Sequence, residues 1–242
     1  NKTNVFDCKG SIAQDGGFLY KVIDKTHKIQ LEDIKINNYS AFNNGGAISL
    51  NGTGDTYSLL DFKDIYINNC ESFEGYGGGI FMNTTKANFN NININNCIAL
   101  KGGGGGIALI ASNDGDDNTM ILDSSAISFK GNIAKNGSQI YVDGSNLTMN
   151  SISMDGSDYL TALTNNQDLF KGNNGGAIYA VSTQLNLNTC EFDNFSAFNN
   201  GGVLYYESSN VSNGDYIINI RNCVFKGTSS DIIPRRGGAI YI

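Results

Sequence analysis

Eight times along this 242-residue chain a glycine pair, or a close variant of it, runs straight into a short apolar stretch. The copies read GGFLY from Gly16, GGAIS from Gly45, GGGIF from Gly77 and GGGIA from Gly104. They continue with GSQIY from Gly137, GGAIY from Gly175, GGVLY from Gly201 and GGAIY from Gly237. Successive first glycines stand 29, 32, 27, 33, 38, 26 and 36 residues apart. Self-similarity at such a period marks a repeat architecture, in which each unit buries its apolar face only against its neighbours.

A second element recurs upstream of most glycine pairs: apolar, any, apolar, any, any, then one special position. It reads Ile34, Ile36, Tyr39; Ile65, Ile67, Cys70; Ile92, Ile94, Cys97; and Ile127, Phe129, Asn132. It continues as Leu147, Met149, Ile152; Leu185, Leu187, Cys190; and Ile218, Ile220, Cys223, while Val5 and Cys8 keep the same offset at the chain start. Strict alternation predicts a strand with one buried face. Gly (30 residues) and Asn are abundant, both are poor in helix interiors, and no segment shows helical apolar spacing. The chain is therefore expected to be all-β, a right-handed single-stranded parallel β-helix of about eight coils. Coils stacked at about 4.8 Å would make a rod roughly 38 Å long.

The corner chemistry agrees. Asn and Gly accept the left-handed backbone that a sharp bend demands, and stacked asparagines exchange side-chain amide bonds with the coils above and below. A corner ladder of Asn38, Asn69, Asn96 and Asn222 is expected. Beside the glycine pairs, Ala47, Ala177 and Ala239 should point small groups inward.

The combination of GGA plus Ile, Leu or Val with an upstream Phe-x-x-Asn resembles the repeat of chlamydial polymorphic outer-membrane proteins. The best copy, Phe129 to Val142, keeps Phe129, Asn132, Ala134, Gly137 and Ile140 but lacks the second glycine. Glycine-pair repeats of this kind are also found in large protist surface proteins. The resemblance covers nearly the whole chain and implies a pectin-lyase-like β-helix at a cell surface, often adhesive. Function does not follow from it, because that fold serves enzymes, adhesins and scaffolds alike.

Residues 1–242 read as one solenoid domain. Its first residues lie inside a coil and its last in mid-strand, so the expectation is a segment of a longer chain. Uncapped strand edges would pair with further copies or other domains, end to end or laterally. The net charge of −7, with scattered acids, argues against nucleic acid and anionic lipid. No apolar run is long enough to span a membrane.

Eight N-x-S/T sequons occur. Asn51, Asn83, Asn146 and Asn210 fall where the glycine-led strand leaves for the next coil, in loops expected to be exposed and glycosylated in a secretory pathway. Asn1, Asn136 and Asn194 are further candidates, whereas Asn38, in the corner ladder, is expected to stay bare. The five cysteines, Cys8, Cys70, Cys97, Cys190 and Cys223, share the special position and should line one inward column. Disulfides Cys70–Cys97 and Cys190–Cys223 are one reading, buried free thiols the other. A coil spacing longer than the ~3.8 Å that a disulfide wants between Cβ atoms favours thiols. One ligand per coil along a line makes no tetrahedron, so zinc is not expected.

Polysaccharide-cleaving β-helices need paired carboxylates or a metal with a basic residue. The single His27 sits between lysines in a turn-like segment, and no paired-aspartate motif lies on one strand face. Asp114, Asp116 and Asp117 form an acidic loop whose oxygens could hold Ca²⁺, but an exposed polar turn is the favoured reading, and the basic cluster Pro234, Arg235 and Arg236 also reads as a surface loop. Longer gaps before the last three glycine pairs suggest a contact edge. Within the longest, Tyr159, Leu160, Leu163, Leu169 and Phe170 either cap the core or meet a partner. The expected function is an extracellular structural or adhesive module, a glycosylated non-enzyme without cofactors. Rival readings are a carbohydrate-active β-helix enzyme and a ligand-binding passenger domain.

Overall fold

In the computed structural model, residues 4–8, 11–23, 29–52, 59–83, 85–111, 119–123, 126–171, 173–208, 217–227 and 234–242 are described. Every strand pairing among them is parallel, joining one coil to the next. The chain is a parallel β-helix. Two sheets run its length, each eight strands tall along its path. The end rungs are stacked on one side only, so about six turns are complete, slightly fewer than the eight expected. A five-stranded sheet makes a third face, and a separate three-stranded sheet joins the later coils.

The inner columns are stacked in register. Ile34, Ile65 and Ile92 align, as do Ile36, Ile67, Ile94 and Phe129. On the glycine-led sheet Ile48, Ile80, Ile107, Ile140, Ile178, Leu204 and Ile240 form one column. Nearly all are fully buried, and each buried aliphatic side chain contributes about 1.5–3 kcal/mol by leaving water. The third face takes only small residues inward, Ala13, Ala41, Ser72, Ala99 and Ala134. Ala47 and Ala177 are buried as expected, with Ala239 packed at the core's edge.

The glycine pair has two distinct causes. Gly77 has φ +69°, and a Cβ there would lie 2.2 Å from the Ile80 carbonyl oxygen. Gly78 lacks the positive φ, but a Cβ on it would meet the Gly105 carbonyl oxygen of the next coil at 2.5 Å. The first glycine makes the turn and the second lets the turns stack.

The repeat changes phase midway, where a single phase throughout was expected. In the early coils the long strands Ile29–Asn37, Leu59–Asn68 and Lys86–Asn95 carry an internal left-handed kink at Asp33, Asp64 and Asn91. A second left-handed corner follows at Asn38, Asn69 and Asn96. Leu147 and Met149 stack on Met120 and Leu122, not on Ile127 and Phe129. The corners Ser151, Thr189 and Asn222 thus continue the internal kink rather than the second corner. Beyond them Ser153–Asp155, Glu191–Asp193 and Val224–Phe225 make the three-stranded sheet, with Ser153–Asp155 lying against Ser128–Lys130. The longer gaps of the late coils hold this extra strand. At the chain start Phe6, not Val5, aligns with Ile36, and Val5 is exposed.

Helix was not expected, yet Ser157–Asn165 (α1) and Gln167–Phe170 (α2) are helical. Tyr159 and Leu163, four residues apart on one face, and Phe170 are buried in the core. Both helices lie against Ile133–Asn136, the last strand of the five-stranded sheet. The Tyr159 hydroxyl donates to the Ser196 carbonyl at 2.6 Å and accepts from Asn173 at 3.0 Å. The insert therefore fills one rung of the third face and covers the free edge beneath it. It caps the core; Leu160 and Ala162 pack at its margin and Leu169 is exposed.

Candidate functional site

Three sets of side chains recur on the outside or at the corners. The first is the amide ladder. Asn38 donates to Asp7 Oδ1 at 2.7 Å, Asn69 to Asn38 Oδ1 at 3.4 Å, and Asn96 to Asn68 Oδ1 at 3.3 Å. Asn38, Asn69 and Asn96 share one left-handed corner, but the expected amide bond joins only Asn69 to Asn38, that of Asn96 going to Asn68, while Asn222 belongs to the other corner. A neighbouring ladder joins Asn91 to Asp64. A third precedes the glycine turns, where Asn136 Oδ1 accepts from Asn174 at 3.3 Å and Asn174 Oδ1 from Asn200 at 3.2 Å. Amides further continue along the outer face of the long-strand sheet, Asn188 to Asn150 and Asn219 to Asn186, each at 2.9 Å.

The cysteines do not share one column. Cys70 and Cys97 follow the second corner, Cys190 and Cys223 follow the kink-type corner, and Cys8 stands one position early, its amide bonded to the Asn37 carbonyl as that of Asn38 is to Asn68. All five are free thiols. Each of the four later thiols donates to the carbonyl two residues back, at 3.3–3.5 Å. The same local device at two different corners is what made the columns look like one. Burial pushes the Cys97 thiol well above its ordinary range, with Cys70 adding to it. In the same column Asn132, fully buried, accepts from the Cys97 amide at 2.9 Å and donates to the Ile94 carbonyl and Gln139 at 2.8 Å.

The sequons separate by environment. Asn51 and Asn83 end strands in register with each other, and Asn146 begins one. They lie within strand ends rather than in loops and are half-buried; Asn146 alternates with buried neighbours, and Asn51 donates to the Ser49 hydroxyl at 3.4 Å. Asn194 is held in a left-handed corner and donates to Asp155 and Ser157, each at 3.1 Å. Asn136 is engaged in its ladder. Asn1, Asn210, His27 and the acidic residues Asp114, Asp116 and Asp117 lie outside the described residues.

The third set went unnoticed in the sequence although the GGAIY copies spell it. On the outer face of the glycine-led sheet Tyr141, Tyr179, Tyr205 and Tyr241 fall in one register column. Their rings stack with centroids 5.2, 4.7 and 5.0 Å apart and planes 4°, 6° and 10° from parallel. Tyr76 tilts against Tyr141 from below at 5.0 Å. The Tyr205 hydroxyl donates to Glu207 at 2.9 Å and that of Tyr141 to Asp143 at 3.3 Å. Burial, aided by nearby carboxylates, holds the Tyr179 phenol up at about 12 and raises Tyr141 and Tyr205 too. Because the faces are turned to one another, solvent meets ring edges and hydroxyls.

Two concavities accompany these ladders. One, about 330 Å³, lies over the long-strand sheet beside Glu32, Asp61, Lys63, Asn88 and Asn90. Its carboxylates are already engaged, Glu32 with Lys63 and Asp61 with Asn88. The other, about 340 Å³, gathers Lys171, Phe198, Asn199 and Arg235. Among the described residues no three His, Cys, Asp or Glu cluster as metal ligands, and no helix is long and apolar enough to cross a membrane. Comparison with models of protein families, with curated proteins and with solved structures finds no match.

Proposed function

We propose that this β-helix is an extracellular structural or adhesive module, glycosylated and belonging to a larger cell-surface protein or fibre. The observation that carries the reading is axial continuity. Amide, aliphatic and tyrosine ladders run from coil to coil on separate faces. Load applied along such an axis is shared among parallel hydrogen bonds and stacked side chains rather than falling on one contact. The resemblance to chlamydial surface repeats points the same way and is part of the proposal. The strand-end setting of Asn51, Asn83 and Asn146, each only half-buried, gives sugars room.

Expression through a eukaryotic secretory pathway, followed by glycopeptide mapping, tests it. The expected result is secretion with sugar on Asn51, Asn83 and Asn146 and none on Asn38, Asn136 or Asn194. Retention of the chain as misfolded material, or sugar confined to the corner asparagines, counts against it.

A second reading, a ligand-binding passenger, is favoured by the Lys171–Phe198–Asn199–Arg235 cavity, where two cations meet an aromatic ring and an amide. That lining suits an acidic sugar. Loss of binding to acidic glycans in the Lys171→Ala/Arg235→Ala double variant, with the fold retained, would establish it.

A further inference from the structure

We propose that the stacked phenols of Tyr141, Tyr179, Tyr205 and Tyr241 form a site of one-electron oxidation at which adjacent coils become joined through a dityrosine bond, foremost between Tyr179 and Tyr205. The inference deepens the structural reading above and rests on it for its purpose, but the chemistry belongs to the stack itself.

Three observations carry it. In-register pairing fixes the rings side by side, so two oxidised phenols need no diffusive encounter. Tyr179 and Tyr205 are the nearest pair, 4.7 Å between centroids and 6° from parallel, and an electron vacancy formed on any ring passes readily to its stacked neighbours. A proton acceptor is already in place, since Glu207 holds the Tyr205 hydroxyl at 2.9 Å, within the reach general-base transfer requires. Burial, and then Glu207, raises the pKa of the Tyr205 phenol, so a phenolate is disfavoured and the proton must leave together with the electron.

Each phenol gives one electron to the oxidant, a peroxidase ferryl haem, and its hydroxyl proton to a carboxylate such as Glu207 and thence to water. The two phenoxyl radicals join through the ring carbons ortho to oxygen. Each ring then moves its ortho hydrogen to its oxygen and regains aromaticity. Two electrons and two protons are lost in all, and they reduce one hydrogen peroxide to two waters.

The test is oxidation of the dilute folded protein by hydrogen peroxide and a haem peroxidase, read by dityrosine fluorescence and mapping of cross-linked peptides. The expected product is an intramolecular Tyr179–Tyr205 peptide, with Tyr141–Tyr179 and Tyr205–Tyr241 as lesser ones. Tyr20 and Tyr66, the more exposed of the described tyrosines outside the stack, should contribute little. Tyr205→Phe keeps the ring and should abolish both links made by Tyr205. Glu207→Gln should lower the yield at Tyr205 relative to Tyr20. Oxidation in urea should erase the preference. Products dominated by Tyr20 and Tyr66, or the same distribution folded and in urea, would overturn the proposal. Neither result bears on axial strength or glycosylation, so failure here is separable from failure of the structural reading.

Discussion

At the scale of single residues, the left-handed corners decide which side chains are tolerated. Asn69 has φ 54° and donates to Asn38. Asn69→Gly keeps the backbone and loses one exposed amide bond, while Asn69→Ala adds steric strain of about 1–2 kcal/mol. Urea unfolding should rank the alanine variant below the glycine variant. Tyr159 makes a sharper case, because its buried hydroxyl satisfies both the Ser196 carbonyl and the Asn173 amide. Tyr159→Phe leaves both unpaired and should cost about 1–3 kcal/mol. The ladder tyrosines add a pH dependence. Burial, then Glu207, raises Tyr179 from 10.0 to about 12 in the folded protein. Below the unfolded value both states hold the proton, so that contribution is intact. Between about pH 10 and 12 the unfolded chain ionises first, so stability falls as pH rises through that window. Denaturation midpoints followed across it should show a shallower fall in Tyr179→Phe.

At the scale of elements, the glycine pair and the helical insert are the places where geometry allows no substitute. Gly78→Ala would drive a Cβ to 2.5 Å from the backbone of the neighbouring coil. The variant is expected to fail to fold or to lose most of its stability, judged by circular dichroism and thermal melting. Removing α1 and α2 would strip Tyr159, Leu163 and Phe170 from the core and expose the edge of Ile133–Asn136. Such a deletion should unfold the molecule, so it cannot serve to separate a binding role from the fold; point changes at exposed Leu169 can. How legible these elements were follows from their chemistry. Strand alternation and glycine turns are written locally, so both tall sheets could be read from residues alone. The phase change could not, because Asn96–Cys97 and Asn222–Cys223 build the same thiol-to-carbonyl corner at different places in the coil. The insert was also hidden, since Tyr159 and Leu163 show their common face only once a helix is assumed. The tyrosine ladder was in plain view, but only register reveals that rings in separate copies touch.

For the whole molecule, stability comes from repetition rather than from any one contact. Among the described residues the cross-coil ion pairs Lys63–Glu32, Lys101–Glu74 and Lys226–Glu191 are solvent-exposed and add little to stability, because water and salt screen them. High salt should therefore leave the melting temperature nearly unchanged. The aliphatic columns matter far more: Ile67→Ala or Ile94→Ala in mid-stack should cost about 2–5 kcal/mol. The stacking register itself is open to one direct measurement. Gln30, Asp61, Asn88, Ile121, Thr148, Asn186 and Asn219 form a single outward column. Spin labels at Gln30 paired in turn with Thr148, Asn186 and Asn219, read by pulsed electron resonance, should give narrow separations rising in equal steps to roughly 19, 24 and 29 Å, about 4.8 Å per coil. Separations that are broad, or that fail to rise by a constant step along this column, would contradict the stacked architecture and the phase assigned to its later coils.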